Sequence, residues 1–229
     1  MTIMGASVAL QGVGIAYSGK NILADVTHRF DPGCHLIEGA NGVGKSTLLG
    51  AIAGHVRYKG RILINGHDLC SEPVKARRGL TYVPDNPIFH SFFTGYEFID
   101  FVLGAHDRGQ ACRQHDFERL VQHLGVQAHL GNRFNEASLG TRRKFFLLAA
   151  FLLSPGAMVL DEPFNGLDAG AAEALRQLLI EVSADQVVLL TCHQPSLVTA
   201  ALSKRWTLRH PPHVSVLPSE ATMPGGLNG

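Results

Sequence analysis

The sequence predicts an α/β fold: a mainly parallel core sheet flanked by helices, with an antiparallel β subdomain at the N-terminus and a helical subdomain inserted further on. Three observations predict it. Short apolar runs, Leu36-Ile37, Met158-Val159-Leu160 and Val187 to Thr191, alternate with longer stretches of helical spacing, the pattern of buried parallel strands joined by helices. A glycine-rich loop, Gly39 to Thr47, lies between the first of these strands and a helix. The strand at Met158 runs directly into Asp161-Glu162-Pro163 and so sets an acid pair at its carboxyl end.

The elements follow in order. Val8-Ala9-Leu10 and Val26 to Phe30 read as strands, separated by turn signals at Ser18-Gly19 and Asp31-Pro32-Gly33. Lys45 to Ala53 carries Leu48, Leu49 and Ile52 at helical spacing and stops at Gly54. Arg61 to Ile64 is a strand turning at Asn65-Gly66, and Leu80 to Val83 is another, closed by Pro84. The character changes between about 86 and 141. Phe92 to Leu103 and Phe117 to Leu124 look helical and are joined by polar loops, which predicts the inserted subdomain. A long apolar helix is expected from Thr141 to Leu153, and another helix from Ala169 to Val182. Trp206 to Leu208 and Val214 to Leu217 suggest a closing hairpin, so the folded domain is expected over 1–217, with 218–229 a frayed tail.

Composition narrows the function classes. Lys plus Arg number 20 against 19 for Asp plus Glu, so no basic excess marks a nucleic-acid partner, and none is expected. The four cysteines, Cys34, Cys70, Cys112 and Cys192, form no C-x-x-C pair, which suggests free thiols in a reducing compartment. Met1 to Gln11 has no basic region leading into an apolar run, so no signal peptide is expected. The apolar stretch Phe145 to Leu153 is far shorter than the ~20 residues of a membrane-spanning helix.

The loop fits G-x-x-x-x-G-K-[ST] with Gly39, Gly44, Lys45 and Ser46. Small residues let backbone N–H groups close around phosphate oxygens, here those of Asn41, Gly42, Val43, Gly44 and Thr47 with their neighbours. The following helix directs its positive end at the same anion. Lys45 adds a charge for the β- and γ-phosphates, and Ser46 a hydroxyl for Mg²⁺. Asp161 is placed to hold Mg²⁺ through water, and Glu162 to orient or deprotonate an attacking water. ATP and Mg²⁺ are therefore the expected ligands.

The order of the remaining motifs resembles the ATP-binding (nucleotide-binding) subunits of ABC transporters, over about Val8 to Leu217. Ser138-Leu139-Gly140-Thr141, ahead of the apolar helix, resembles the family's signature. Ser138 and Gly140 match the common form, while Ala137, Leu139 and Thr141 depart from it. As a bare string it is an ordinary helix N-cap, and only its position lifts it above that. Asn165-Gly166-Leu167-Asp168 resembles the D-loop, His193 stands where the family has its switch histidine, and Tyr17 where it has an adenine-stacking aromatic. Asp85 stands where the family usually has a metal-contacting glutamine; a carboxylate can still serve a hard cation. Arg142, Arg143 and Lys144 suggest a solvated face without a role.

The resemblance implies an ABC cassette that pairs head to tail with a second cassette, as a homodimer or heterodimer. Each ATP would lie between the P-loop of one chain and Ser138 and Gly140 of the other, with Asp168 at the interface. It also implies a separate transmembrane permease, a place on the cytoplasmic face of the membrane, and catalytic roles for Glu162, His193 and Lys45. Asp85 together with the Ser-Leu-Gly-Thr string resembles the ABC-2 branch and points to export. Rival readings are a soluble ABC-type ATPase acting on nucleic acid or ribosomes, an ATP-binding regulatory module with little hydrolysis, and a small-molecule kinase.

Overall fold

The computed structural model describes residues 6–17, 20–88, 90–106, 114–208 and 217–218. Two sheets organise them. The first is antiparallel, in the order β2 (Lys20–Phe30), β1 (Val8–Tyr17), β4 (Lys59–Ile64), β5 (His67–Asp68). The second has the order β10 (Leu217–Pro218), β9 (Lys204–Thr207), β3 (Gly33–Glu38), β8 (Val187–Leu190), β7 (Ala157–Leu160), β6 (Leu80–Val83). All its pairings are parallel except that of β10 with β9. Of the expected closing hairpin, Leu217 pairs with Thr207; Val214 and the tail beyond Pro218 lie outside the described residues.

Strand alternation explains how the second sheet is covered on both sides, because successive side chains point to opposite faces. Leu36, Met158, Leu160, Val188 and Leu190 enter one core with the helices α3 (Gly95–Ala105), α4 (Gln114–Leu124), α5 (Leu139–Leu153) and α6 (Ala169–Val182). Ile37, Ala157, Val159, Val187 and Leu189 enter a second core with α1 (Lys45–Ile52) and the antiparallel sheet. A buried strand must be apolar at every position to serve both, and β7 and β8 are buried at all four positions each.

Asn65 joins the two sheets. Asn65 and Gly66 have φ of 50° and 83°, as a two-residue turn from β4 into β5 requires. The Asn65 side chain accepts from the Ser7 N–H at 2.9 Å and donates to the Gly79 carbonyl at 3.4 Å. A Cβ on Gly79 or Gly156 would come within 2.5 Å of its Nδ2, so these glycines make room for the link.

Helix boundaries differ in places from the expectation. α3 begins at Gly95, not Phe92, because Thr94 caps it in a reciprocal box with Glu97. α5 begins two residues before Thr141, with Ser138 as its N-cap. A short helix, α2 (Pro73–Arg78), was not expected; its six residues are too few for a periodic signal, though Pro73 at its start fits the usual entry position.

Candidate active site

The parallel register decides which loops meet. Leu36 pairs with Leu190, Leu190 with Leu160, and Leu160 with Val83, so four strands end in one rank. Just beyond that rank lie the Gly39 loop, His193, Asp161-Glu162 and Asp85. This is the carboxyl edge of the sheet, where open α/β folds bind ligands.

The loop from Gly39 to Gly44 is built on left-handed backbone. Gly39, Gly42 and Gly44 have φ of 149°, 77° and 108°. A Cβ at Gly39 would meet the Leu208 carbonyl oxygen at 2.6 Å and one at Gly44 the Ile22 side chain at 2.7 Å, whereas Gly42 faces open space. Neighbouring chain therefore closes the loop behind and leaves it free in front. Gly44 is the N-cap of α1 and offers no side chain to the first-turn N–H groups. Those N–H groups and the helix dipole suit a phosphate. Lys45 Nζ donates to the carbonyls of Gly39 at 2.8 Å and Ala40 at 3.3 Å, so the ammonium lies over the loop. Val43 and Gly44 are buried, whereas Asn41, Gly42 and Ser46 are exposed and Thr47 half-buried.

Across the edge, a hydrogen-bonded cluster holds the acid pair. Asp161 and Glu162 are both buried. Thr191 Oγ1 donates to Asp161 Oδ1 at 2.6 Å and accepts from the Glu162 N–H at 2.9 Å. Glu162 Oε2 accepts from the His193 N–H at 2.9 Å, and Glu162 Oε1 lies 3.7 Å from His193 Nε2. Glu162 has φ 51°, a left-handed conformation that a side-chain-bearing residue adopts only when its surroundings hold it. The His193 ring is exposed and available to an incoming ligand. Tyr17, at the end of β1, is 76% exposed, so it is a free aromatic face and not a core tyrosine.

The signature-like and D-loop-like segments touch each other. Ser138 Oγ accepts from the Thr141 N–H at 3.1 Å as the N-cap of α5, and Ser138 and Leu139 are exposed. A Cβ on Gly140 would sit 2.4 Å from the Gly166 carbonyl oxygen, so only glycine permits this approach. Asp168 caps α6 through the Ala171 N–H at 2.9 Å and pairs with Lys144 at 2.7 Å. The Lys144 bond and the Ala171 N–H hold its carboxyl below the usual carboxylate range.

The expectation of a solvated basic face fails: Arg142 is half-buried, and the other two residues turn to partners within the protein. Arg143 is 3% exposed, and its guanidinium reaches the carbonyl of Glu162 and both the carbonyl and the carboxylate of Asp85. The Lys144 side chain is 12% exposed because it folds onto Asp168. Helix α5 is buried on more than one side, and Arg143 and Lys144 at its head turn to carbonyl and carboxylate partners. Asp85 Oδ1 also accepts from Asn165 Nδ2 at 3.1 Å. Among the described residues no cluster of three or more His, Cys, Asp or Glu could hold a metal ion. The oxygens that would face a cation at the phosphate loop are the Ser46 hydroxyl and the Asp161 carboxylate. That sparse oxygen set fits Mg²⁺, which keeps waters and phosphate oxygens among its ligands.

The fold and site define a P-loop nucleotide-binding domain, with phosphate loop and acidic strand end on one edge of a parallel sheet. Residues 23–165 match the family described as ABC transporter. The chain is 32% identical over 166 residues to the ABC transporter ced-7 of Caenorhabditis elegans, covering 70% of this chain but only 9% of that protein. It is 30% identical over 195 residues to the zinc transport system ATP-binding protein TroB of Treponema pallidum, covering 82% of this chain and 72% of TroB. A solved ATP-binding subunit of an ABC transporter superposes with a TM-score of 0.83 at 28% identity, covering 88% of this chain and 85% of that one. The chain belongs to the ABC transporter family and has the fold of its ATPase cassettes.

Two residues of the site carry little signal in the sequence. Thr191 reads only as the last residue of a strand, and Arg143 as part of a basic run. Thr191 carries a faint signal, being a hydroxyl between an apolar strand and His193; Arg143 carries none.

Proposed function

We propose that this chain is the ATP-binding and ATP-hydrolysing subunit of a transporter, driving a separate transmembrane permease through ATP-dependent closure of a cassette dimer. The observation that carries the reading is the meeting of Lys45, Asp161, Glu162 and His193 at the end of one rank of strands. The phosphate loop binds the triphosphate through its N–H groups and Lys45. Ser46 and Asp161 are the residues that would hold Mg²⁺, whose charge offsets that of the phosphates when bound; Asp85, expected there from the sequence, has its carboxylate oxygens engaged by Arg143, Asn165 and Asn86 instead. Glu162 accepts a proton from the attacking water as the new O–P bond forms and the bond to the β-phosphate oxygen breaks. His193 lies beside Glu162, where it can contact the γ-phosphate.

Ser138 and Gly140 lie on exposed or half-exposed chain at the start of α5, which suits contact with ATP held by a second cassette, identical or homologous. Asp168 belongs to the same face. The helical insert, from about residue 86 to 141, would carry the motion to the permease, with the Asp85 loop as its hinge. Ile88, Phe92, Tyr96 and Phe101 on that insert are at least half exposed, and an apolar surface of that kind supports a partner there. No helix among the described residues is long and apolar enough to cross a membrane; the separate permease and a place at the cytoplasmic face follow from the transporter reading. Asp85 and the Ser-Leu-Gly-Thr string support export.

Two experiments test the reading. Glu162→Gln should bind ATP as the wild type does and lose about 10²- to 10⁴-fold in turnover, the worth of a positioned general base. Wild-type turnover in that variant would remove Glu162 from its role. Affinity purification from membranes in mild detergent, followed by mass spectrometry, should recover a membrane-spanning partner; recovery of soluble partners alone would count against the transporter reading.

A further inference from the structure

We propose that Arg143 is a positioning residue for hydrolysis, which holds the peptide of Glu162 in its left-handed conformation, and that Asp85 is its counter-ion. The inference rests on the ATPase reading above. The Glu162 peptide is gripped from two sides: its N–H by Thr191 Oγ1 at 2.9 Å and its C=O by Arg143 Nη1 at 2.6 Å. Arg143 stands on α5 just over one turn after Ser138, so the grip ties the signature helix to the acid pair. Its Nη2 donates to both the carbonyl and the Oδ1 of Asp85. One guanidinium therefore joins the signature helix, the loop leading to the helical insert and the strand end that bears Glu162.

Electrostatics makes the pair obligatory. The Arg143 side chain is 3% exposed, and a buried cation without a counter-charge is strongly unfavourable. Its Nε has no partner among the described residues, so the Nη contacts carry the compensation. Asp85 is the carboxylate bonded to it, and Asn165 donates to the same Oδ1, which turns that oxygen towards the protein. A neutral glutamine at 85 could accept a hydrogen bond but would leave the guanidinium charge uncompensated. The expectation is thus the reverse of what the family resemblance suggests: installing glutamine at 85 should harm this protein, not improve it.

The test compares the full-length chain with its D85Q, R143Q, R143K and D85Q/R143Q variants. For each, kcat, the KM for ATP and the Mg²⁺ concentration at half-maximal rate are measured, with a fluorescent ATP analogue reporting binding. D85Q should lower kcat by about ten- to hundredfold, the worth of a hydrogen bond to a charged group expressed as a rate, while KM and the Mg²⁺ dependence stay unchanged. R143Q should lower kcat by loosening the Glu162 peptide, and the neutral double variant, which lacks the same grip, should stay below wild type but lose less than the product of the two single losses. R143K should not recover the wild-type kcat, since an ammonium cannot span both partners as the planar fork does. Wild-type kcat in D85Q, a shifted Mg²⁺ dependence in its place, or a double variant no better than the product of the singles would each overturn the proposal. If D85Q fails to fold, recovery of folding in the double variant supports the pair, and failure of both overturns it. A wild-type chain that binds the analogue without hydrolysing ATP would instead sink the ATPase reading, and the positioning role with it.

Discussion

Thr191 shows how much a single hydroxyl can organise. It is fully buried and serves two masters at once, donating to Asp161 and accepting from the main chain of Glu162. Thr191→Val keeps the shape and removes both bonds. It would leave a buried N–H without its acceptor, at a cost of about 1–3 kcal/mol. We expect a matching loss of stability in denaturant unfolding, and a fall in kcat larger than any change in the KM for ATP. Equal losses in kcat and affinity would mean that Thr191 shapes the binding site and not the acid pair. Gly140 is equally local: with a carbonyl oxygen 2.4 Å from where a Cβ would stand, Gly140→Ala should push the signature from the D-loop-like turn. None of this depends on the length of an element, only on the few atoms around each residue.

Among the elements, α3 is the clearest case of chemistry deciding a boundary. The apolar run from Phe92 gives no reason to begin at one residue and not another, but Thr94 and Glu97 satisfy each other's main-chain N–H groups. The N–H and hydroxyl of Thr94 bond to the Glu97 carboxyl and hold it below the usual carboxylate range. Thr94→Ala should cost about 1 kcal/mol, the usual worth of an N-cap. Hydrogen exchange should show faster opening of the first turn of α3 with the parallel sheet undisturbed. Exchange rising throughout the chain would show that the cap supports more than its own helix. Helix α5 teaches the converse. It was legible as an apolar helix because Phe145 to Leu153 have nothing polar to contradict it, yet the destinations of Arg143 and Lys144 were not. A charged side chain at the head of such a helix goes to solvent or to a carboxylate, and local spacing does not distinguish the two.

For the molecule as a whole, one buried cluster sets a pH limit. Trp206 Nε1 donates to His35 Nδ1 at 3.1 Å, and His35 Nε2 lies 2.8 Å from the Asp31 carbonyl. The ring thus carries its proton on Nε2 and accepts on Nδ1, which is the neutral form. Burial lowers the pKa of His35, and burial with the neighbouring His35 lowers that of His28. In the unfolded chain both titrate near 6.5. Their neutral forms therefore cost the fold nothing above about pH 6.5, where the unfolded chain is neutral too. As pH falls below that value the unfolded chain gains protons that the fold excludes, and stability drops until the lowered folded pKa values are passed. Trp206 is the one tryptophan of the chain, so its fluorescence reads this cluster directly. Denaturation midpoints should fall between pH 6.5 and more acid values, and His35→Phe should flatten that fall; an unchanged slope would locate the acid sensitivity elsewhere.

The residues that could be read from the sequence are those whose role is met within a few neighbours. Gly39, Gly42 and Gly44 must allow positive φ, Lys45 and Ser46 must start the helix that follows, and Asp161 must end an apolar strand. Each requirement is local backbone geometry, so it is written in consecutive letters, and the order of β3, β7 and β8 with their helices was legible for the same reason. The tertiary structure alone decided that Thr191 joins the acid pair 30 residues before it, and that Arg143 bridges Asp85, 58 residues away, to Glu162, 19 residues on. A polar group's partner across such separations depends on which strand ends the register brings into one rank. The phosphate loop is legible in the sequence; the hydrogen bonds that grip the Glu162 peptide opposite it belong to the fold.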